Sequence, residues 1–573
     1  MNASPNNRIN VLIVGAGPVG LTLACELARR GVDFRIIDKE LKPSDKSKAL
    51  GIHSRTLEIL ESMGIVDKFI AAGHLVYGTN FWHKEKKILH LNLDEIDGPF
   101  PYAMMLPQCD TERLLTEQLA TFGKSIERGS TLTTFAQTKD GVRSEITHAD
   151  GSNEAIESDY ITGCDGAHSC VRHTLGLTFE GAQYKSGFAT FDGHLSFDKR
   201  DDELNLFVSE NGMLACFPIG NGRYRIIADE EVATHNTGDE LTLKSMQKIV
   251  DERGSKGMVL SDPVWLTWFT INKRAANDYQ VGRAFVLGDA AHIHSPALGQ
   301  GMNSGMQDAF NLGWKLELVV KELADSKLLE SYENERHPVG KMLLRNTDIA
   351  TKMITIRNPI SSKLRDVLLP LIVDHEVVQH RALKTLSMLG VNYRHSKITG
   401  EQSNDSSNDQ SNSQPESMLT KIGAWLDFSH GPKPGDRAPD GYVSSSKDSD
   451  NMRLFPRIAN IRHNILVFAG LKPDGDQEAS INKLALFAQS NDAQYADIHF
   501  VITDETASNK LNKEVEVLVD EDQSLHHLYG AAKECFYIIR PDGYVGFRSQ
   551  SLSPEAITTY FEKISARVVI KKN

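Results

Sequence analysis

The chain has 573 residues, 40% of them apolar and 24% charged, with a formal net charge of −13. That length predicts two to four domains, and the apolar content is enough to bury a core without disulfides or structural metal. The acidic balance argues against a nucleic-acid binder, which needs a Lys/Arg-rich face. The six cysteines are scattered without a C-x-x-C pair, which excludes a zinc ribbon and a thioredoxin-type redox motif and fits a reducing, cytoplasmic compartment.

In chain order, the polar stretch Met1 to Asn10 is no secretory signal. Ile9 to Val14 reads as a buried parallel strand, Leu21 to Arg30 as a helix closed by Gly31, and Val32 to Ile37 as a second strand ending at Asp38. Thr111 to Phe122 is helical, and Glu157 to Thr162 is again a strand. Residues 76–102 and 179–269 change to short alternating segments, such as His194-Leu-Ser-Phe and Tyr224-Arg-Ile-Ile, as in a mixed or antiparallel sheet.

Helices follow Met302, and Lys341 to Ile356 sets Met342, Ile349, Met353 and Ile356 on one stripe for packing against the same domain or a partner subunit. Val367 to Val373 is the longest apolar run. It is too short to span a bilayer and contains a proline, so no membrane span is expected. Residues 401–418 are polar and of low complexity, a flexible linker to a domain of residues 419–573. That domain alternates strands (Ile465 to Phe468, Ile498 to Ile502, Phe536 to Ile539) with helices and ends in one started by Ser553-Pro554.

Gly15-Ala-Gly-Pro-Val-Gly20 is a G-x-G-x-x-G turn between strand and helix. Gly15 permits the sharp turn, Gly17 lets backbone N–H groups approach a pyrophosphate, and Gly20 lets helix and strand pack closely. The helix N-terminus then favours the anion, with Pro18 and Val19 in its first turn. Asp38, about 20 residues on, is placed to accept hydrogen bonds from a ribose, with Lys39 beside it. A second signal is Arg283 to His292 with Gly288-Asp289 at the carboxyl end of a strand. It is followed by a glycine-rich loop, Pro296 to Met302, opening into a helix over Asn303 to Leu316. The Asp289 carboxylate is suited to grip a polyol hydroxyl, and the loop that Pro296 opens, with the helix start, offers the N–H groups of Gly299, Gln300, Gly301, Met302 and Asn303 to a ring edge that gains negative charge.

With Cys164-Asp165-Gly166-Ala-His-Ser169 between them, these motifs resemble the group A flavoprotein aromatic hydroxylases: the para-hydroxybenzoate, phenol and pentachlorophenol monooxygenases and relatives acting on polyketides. Ser54-Arg-Thr-Leu-Glu and Leu106-Pro-Gln-Cys-Asp-Thr-Glu-Arg-Leu-Leu115 are similar to two further segments of that family. The resemblance covers about residues 8–395. It implies non-covalent FAD held by Gly15, Gly17, Pro18, Val19, Gly20, Asp38, Lys39, Lys48, Gln108, Arg113, Asp165 and the residues from Gly288 to Asn303 named above. Asp38 stands where the family more often has glutamate, and Lys48 where many relatives have arginine, which loses the bidentate fork.

The resemblance further implies α/β and α+β architecture. A Rossmann-type FAD-binding domain (1–75, 103–178 and 270–340) carries an inserted substrate-binding sheet (76–102 and 179–269), followed by a helical segment (341–400). Gly435 to Asp440 and Arg540 to Val545 resemble the thioredoxin-like tail of phenol and polyketide hydroxylases, which here holds only Cys535 and so has no partner thiol for exchange. The activity implied is hydroxylation of a small aromatic substrate through a flavin C4a-hydroperoxide, with NADPH or NADH as transient reductant and O2, by a homodimer. Ketone oxygenation of the Baeyer–Villiger type, or an antibiotic-modifying oxygenation, on the same scaffold is the alternative enzyme reading, and a flavin-binding protein without turnover the non-enzymatic one. A base for the phenol is needed. His53, Tyr224 and His294 stand near the right motifs, yet a structural or solvated role is favoured for each, and no catalytic residue is assigned. Phe217-Pro-Ile219 resembles a strand facing the aromatic pocket in relatives.

Overall fold

The computed structural model describes residues 8–44, 48–231, 240–354, 376–402, 428–445, 448–458, 461–471, 484, 496–503 and 516–564. The apolar run 367–373 and the linker from 403 to 418 lie outside them. The chain divides into two compact units, Met1–Gly313 with Arg336–Gly390, and Trp314–Glu335 with Val391–Asn573.

In the first unit β1 (Arg8–Val14) lies between two parallel neighbours, β2 (Phe34–Asp38) and β3 (Asn153–Gly163). Beyond β3 comes the parallel strand Ala284–Val286. Val11 to Val14 are all buried, as the apolar run of a central parallel strand requires. Helix α1 (Pro18–Arg29) starts three residues before the expected Leu21, because Pro18 is pre-set for a first helical turn. It closes where Gly31 takes φ +66° and the Val32 N–H donates to the Leu27 carbonyl. Helix α2 (Gln108–Thr121) packs against α1.

The second sheet is mixed. Its central strands are β4 (Phe179–Ser196), β5 (Glu203–Ser209), β6 (Gly212–Gly220), β7 (Arg223–Glu231) and β8 (Val259–Ala276), in the spatial order β8-β4-β7-β6-β5. Gly78–His83 adds in parallel to β5, and Lys86–Asn92 follows it. Register aligns Thr267, Thr190, Ile227, Ala215, Leu206 and Phe81 in one row across six strands. It sets Trp265, Asp192, Arg225 and Phe217 in the next row on the same face. The opposite face, with Phe191, Leu214, Tyr224, Ile226 and Ala228, packs on Met246, Ile249 and Val250 of the helix Leu243–Arg253.

Helix α3 (Gly301–Val320) follows the glycine-rich loop, then come α4 (Glu330–Ile354) and α5 (Glu376–Leu386). Within the first unit, α4 buries Val339, Leu343, Leu344, Thr347 and Thr351. The expected stripe is off by a step: Met342 and Ile349 face outward, 44% and 48% exposed, and the side chains of Met353 and Ile356 lie outside the described residues. The 3.6-residue period was legible, but its phase was decided by the neighbours available to pack against.

In the second unit β9 (His463–Phe468) pairs in parallel with β10 (Ala496–Ile502), which pairs in parallel with β11 (Glu516–Val519). On its other side β9 pairs antiparallel with β12 (Cys535–Ile539), and β12 with β13 (Val545–Ser549). Gly400–Gln402 extends this sheet beside β13, so the first two residues of the expected linker are strand. Helix α6 (Pro554–Lys563), capped by Ser553, buries Ile557, Tyr560 and Phe561, and Ile564 follows in the same core. Glu335 accepts from Lys315, Arg540 and Ser396 in a fully buried cluster. Among the described residues, no helix is long and apolar enough to cross a membrane.

Candidate active site

Parallel pairing of β1, β2 and β3 delivers three carboxyl ends to one edge of the sheet, the place where open α/β sheets bind ligands. Gly15 follows β1 at φ +102°, and a Cβ there would stand 2.4 Å from the Cys164 carbonyl oxygen. A Cβ at Gly20 would lie 1.9 Å from the Gly15 carbonyl oxygen, so the turn and helix pack at backbone contact. At Gly17, by contrast, a Cβ would meet nothing within 4 Å. The Asp38 carboxylate accepts from the Ala16 N–H at 2.7 Å and the Glu40 N–H at 2.8 Å, steadying the turn from β2.

Gly288, at φ +57°, begins the second turn, where a Cβ would press on Val19 at 2.8 Å. Its N–H donates to Asp308, a buried carboxylate on α3 that also accepts from His292 and Arg336. Burial pushes the Asp308 carboxyl up, but Arg336 and His292 outweigh it, and the net shift is down. Asp289 is turned outward by this anchored bend and is open to the cavity. The protein around it raises its carboxyl above the ordinary range, with His292 and Lys48 opposing.

Both turns open on one cavity of about 840 Å³ within the first unit. One side is walled by Gly17, Pro18, Val19, Lys48, Gln108, Asp289, Pro296, Gly299, Gly301 and Met302. The other side is the row-bearing face of the second sheet, with Phe81, Leu206, Ala215, Phe217, Arg225 and Ile227. One face of α5, including Val378, Arg381, Ala382 and Thr385, completes it. Of the charged side chains in this wall, three are cationic (Lys48, Arg225, Arg381) and one is anionic (Asp289), a balance suited to an anionic occupant.

Ten of the residues expected at the cofactor therefore meet around one space. The others stand behind it or away from it. Gly15, Gly20, Asp38 and Gly288 shape the two turns. Asn303 spends its side chain on the chain itself, accepting from the His53 N–H and donating to the Gly51 and Gly299 carbonyls. Gln300 donates to the Thr385 carbonyl at the end of α5. Asp165 accepts from the Cys170 and Val171 N–H groups, and its other oxygen, buried, has no hydrogen-bond partner. Lys39 is exposed and lines no part of the cavity. Arg113 is likewise exposed, paired with Asp110 and Glu117 along its own helix, because carboxylates three residues before it and four after it share its face.

The three candidate bases divide. Tyr224 lies on the far face of the sheet, in the core, and burial pushes its hydroxyl up to about 12. His53 and His294 line the cavity, and burial lowers each to about 4. The His53 ring bonds the Leu298 carbonyl, and His294 Nδ1 donates to the Ser295 carbonyl, so both imidazoles are neutral and tied to the loop. Phe217 lines the cavity. Sequence motifs did not single out Asp308, Arg225 or α5. Only the aspartate in the turn of α3 that follows Asn303 offered a signal, a lone carboxylate on the apolar face of a helix.

The geometry fits FAD. Open space at Gly17 leaves room for a pyrophosphate against the first turn of α1, whose N–H groups have no intrahelical acceptor. Asp289 presents a carboxylate to a polyol, and the first turn of α3 presents N–H groups at Gly301 and Met302.

A family model described as FAD binding domain matches residues 8–347. The 6-methylpretetramide 4-monooxygenase of Streptomyces rimosus is 31% identical over 564 residues, covering 97% of this chain and 93% of that protein. The pentachlorophenol 4-monooxygenase of Sphingobium chlorophenolicum is 30% identical over 546 residues, covering 94% and 93%. Among solved structures, the OxyS anhydrotetracycline hydroxylase from Streptomyces rimosus superposes with a TM-score of 0.69 at 28% identity, covering 97% of this chain and 99% of that one. With two glycine turns, a carboxylate and a helix start meeting at one cavity, and with relatives that span nearly the whole chain, the protein belongs to the FAD binding domain family and is a monooxygenase of the group A aromatic hydroxylase type.

Proposed function

We propose that the chain holds FAD non-covalently between the Gly15–Gly20 turn and the first turn of α3, and hydroxylates a phenolic substrate of more than one ring lying against the second sheet. One observation carries this reading: a single cavity joins a cofactor-shaped polar wall to an apolar sheet face, with volume in the range of small-molecule sites. NADPH or NADH serves as transient reductant and O2 as co-substrate. Bound FAD supplies the reduction of O2 and the transfer of one of its oxygen atoms to the ring.

The chain's own residues have separate tasks. The open glycine at 17 and the α1 N-terminus take the phosphates, and Asp289 takes the ribityl hydroxyls. The α3 first turn would offer its positive end to a bound ring system that gains negative charge on reduction, lowering the cost of that charge. The apolar row from Ile227 to Phe81 and the stripe of α5 exclude water from the reacting ring. His53 and His294, neutral and tied to carbonyls, shape the loop. The second unit belongs to the same reading as a thioredoxin-like domain without thiol chemistry, supported by the β13-β12-β9-β10 order with one parallel and two antiparallel pairs. A homodimer is part of it too, and sedimentation velocity of the purified chain tests that part.

The deciding experiment supplies the FAD-loaded chain with phenols, hydroxybenzoates and polycyclic quinones and follows NADPH and NADH consumption together with product mass. Phenol-stimulated consumption with a gain of one ring oxygen is expected. Oxygen insertion beside a ketone with no action on phenols would replace this reading with the ketone-oxygenating one.

A further inference from the structure

Arg225 is the one charged side chain that the second sheet contributes to the cavity wall among the described residues. It is 2% exposed, and register places it between Phe217 on one neighbouring strand and Asp192 on the other, with Trp265 one strand further. Its guanidinium carbon stands 5.6 Å from the Trp265 ring centre. One terminal nitrogen donates to Asp192 Oδ2 at 2.8 Å and the other to the Lys48 carbonyl at 3.2 Å, while Nε, buried, has no partner.

The charges do not cancel. Asp192 Oδ1 is taken by Arg223 at 2.8 Å, so one carboxylate serves two guanidiniums and the group keeps a net charge of about +1. The Arg223 side chain is 37% exposed and reaches solvent, whereas that of Arg225 is 2% exposed. The excess positive charge on the buried member is set among apolar side chains. An under-compensated buried charge is costly, and an anion brought into the same cavity offsets that cost. Around it the wall is flat and aromatic or aliphatic, so the matching anion is one carried on a planar ring.

We infer that Arg225 is a specificity-determining residue that selects a substrate carrying an ionised ring hydroxyl, a phenolate or vinylogous enolate, and holds that oxygen against the sheet wall. This rests on the proposed function and deepens it. Each terminal nitrogen carries a second N–H besides the one given to Asp192 or to the Lys48 carbonyl, and a planar guanidinium fixes the direction of those groups in a way a lysine ammonium does not reproduce.

The test uses the FAD-loaded full chain and two dyes, alizarin, whose acidic hydroxyl changes colour on ionisation, and its 2-methyl ether, which lacks that proton. Binding is followed by the visible spectrum of the dye, without turnover. The wild type is expected to bind alizarin in its ionised colour form and at least about tenfold more tightly than the ether. Arg225→Met is expected to lose that preference and the colour shift, and Arg225→Lys to retain part of both. FAD affinity should change less than about twofold in either variant, which also certifies the fold. A preference and colour unchanged in Arg225→Met overturns the assignment. So does a variant that loses FAD instead of the dye, since the guanidinium then serves the cofactor. A wild type that binds both dyes equally overturns the assignment while leaving the proposed function standing, whereas one that binds FAD and neither dye overturns the multi-ring reading of the cavity and the assignment with it.

Discussion

Gly17 and Gly20 share a motif but do different work, and the distances separate them. Alanine at position 20 collides with the Gly15 carbonyl, so Gly20→Ala is expected to cost about 1–3 kcal/mol by overpacking and to lower the melting temperature even without FAD. Alanine at position 17 meets open space. Gly17→Ala should leave the cofactor-free melting temperature nearly unchanged and weaken FAD by about tenfold or more, read by flavin fluorescence titration. His53 and His294 make a pH prediction. The unfolded chain protonates these rings below about pH 6.5, the folded chain only near 4, so the unfolded state binds more protons between those values. Stability therefore rises with pH from about 4 to 6.5 and is level above. Each ring contributes up to roughly 3 kcal/mol of that slope. Thermal melts of His53→Gln and His294→Gln across that window should show a shallower slope than the wild type.

At the scale of elements, α3 is the part that ties the site together. Through Asp308 it holds the Gly288 bend and Arg336 of α4, and Gln300, the residue just before it, holds the end of α5. Asp308→Ala leaves the buried Arg336 guanidinium without its carboxylate and is expected to cost about 3–5 kcal/mol in a denaturant titration. Gln300→Ala releases the Thr385 carbonyl. A lost hydrogen bond of about 1–1.5 kcal/mol should speed amide exchange over Arg381 to Leu386 roughly tenfold, while exchange in α1 stays as it was. Helices and strands were the most legible features of the sequence. The strand before Gly15, the helix after it and the C-terminal helix at Ser553-Pro554 follow from local rules, namely apolar runs, a proline at the first turn and a glycine past the last. Two features escaped those rules. The phase of α4 escaped because Met342 and Ile349 obey the helical period as well as Val339 and Leu343 do. Arg113 escaped because a motif assigns a side chain to a segment, not to a direction.

For the molecule as a whole, binding to the folded state alone must raise stability. FAD at about 100 times its dissociation constant should stabilise the chain by about 2.7 kcal/mol, seen as a concentration-dependent melting temperature. The second unit enters that test as a control for thiol chemistry. Cys535 is its only cysteine and is buried, and burial drives the thiol well above its ordinary range. Cys535→Ala should leave the melting temperature gain on FAD addition and the product yield within about twofold of wild type. Which residues make the first glycine turn, which glycines are obligatory and where the parallel strands run were written in short stretches of chain, because a tight turn or a buried strand is a matter of neighbours within a few residues. The partners of Asp308, the excess charge around Arg225 and the stripe of α5 that walls the cavity belong to the folded state alone. They depend on groups tens to hundreds of residues apart, and only strand register and helix phase decide which of them face one another.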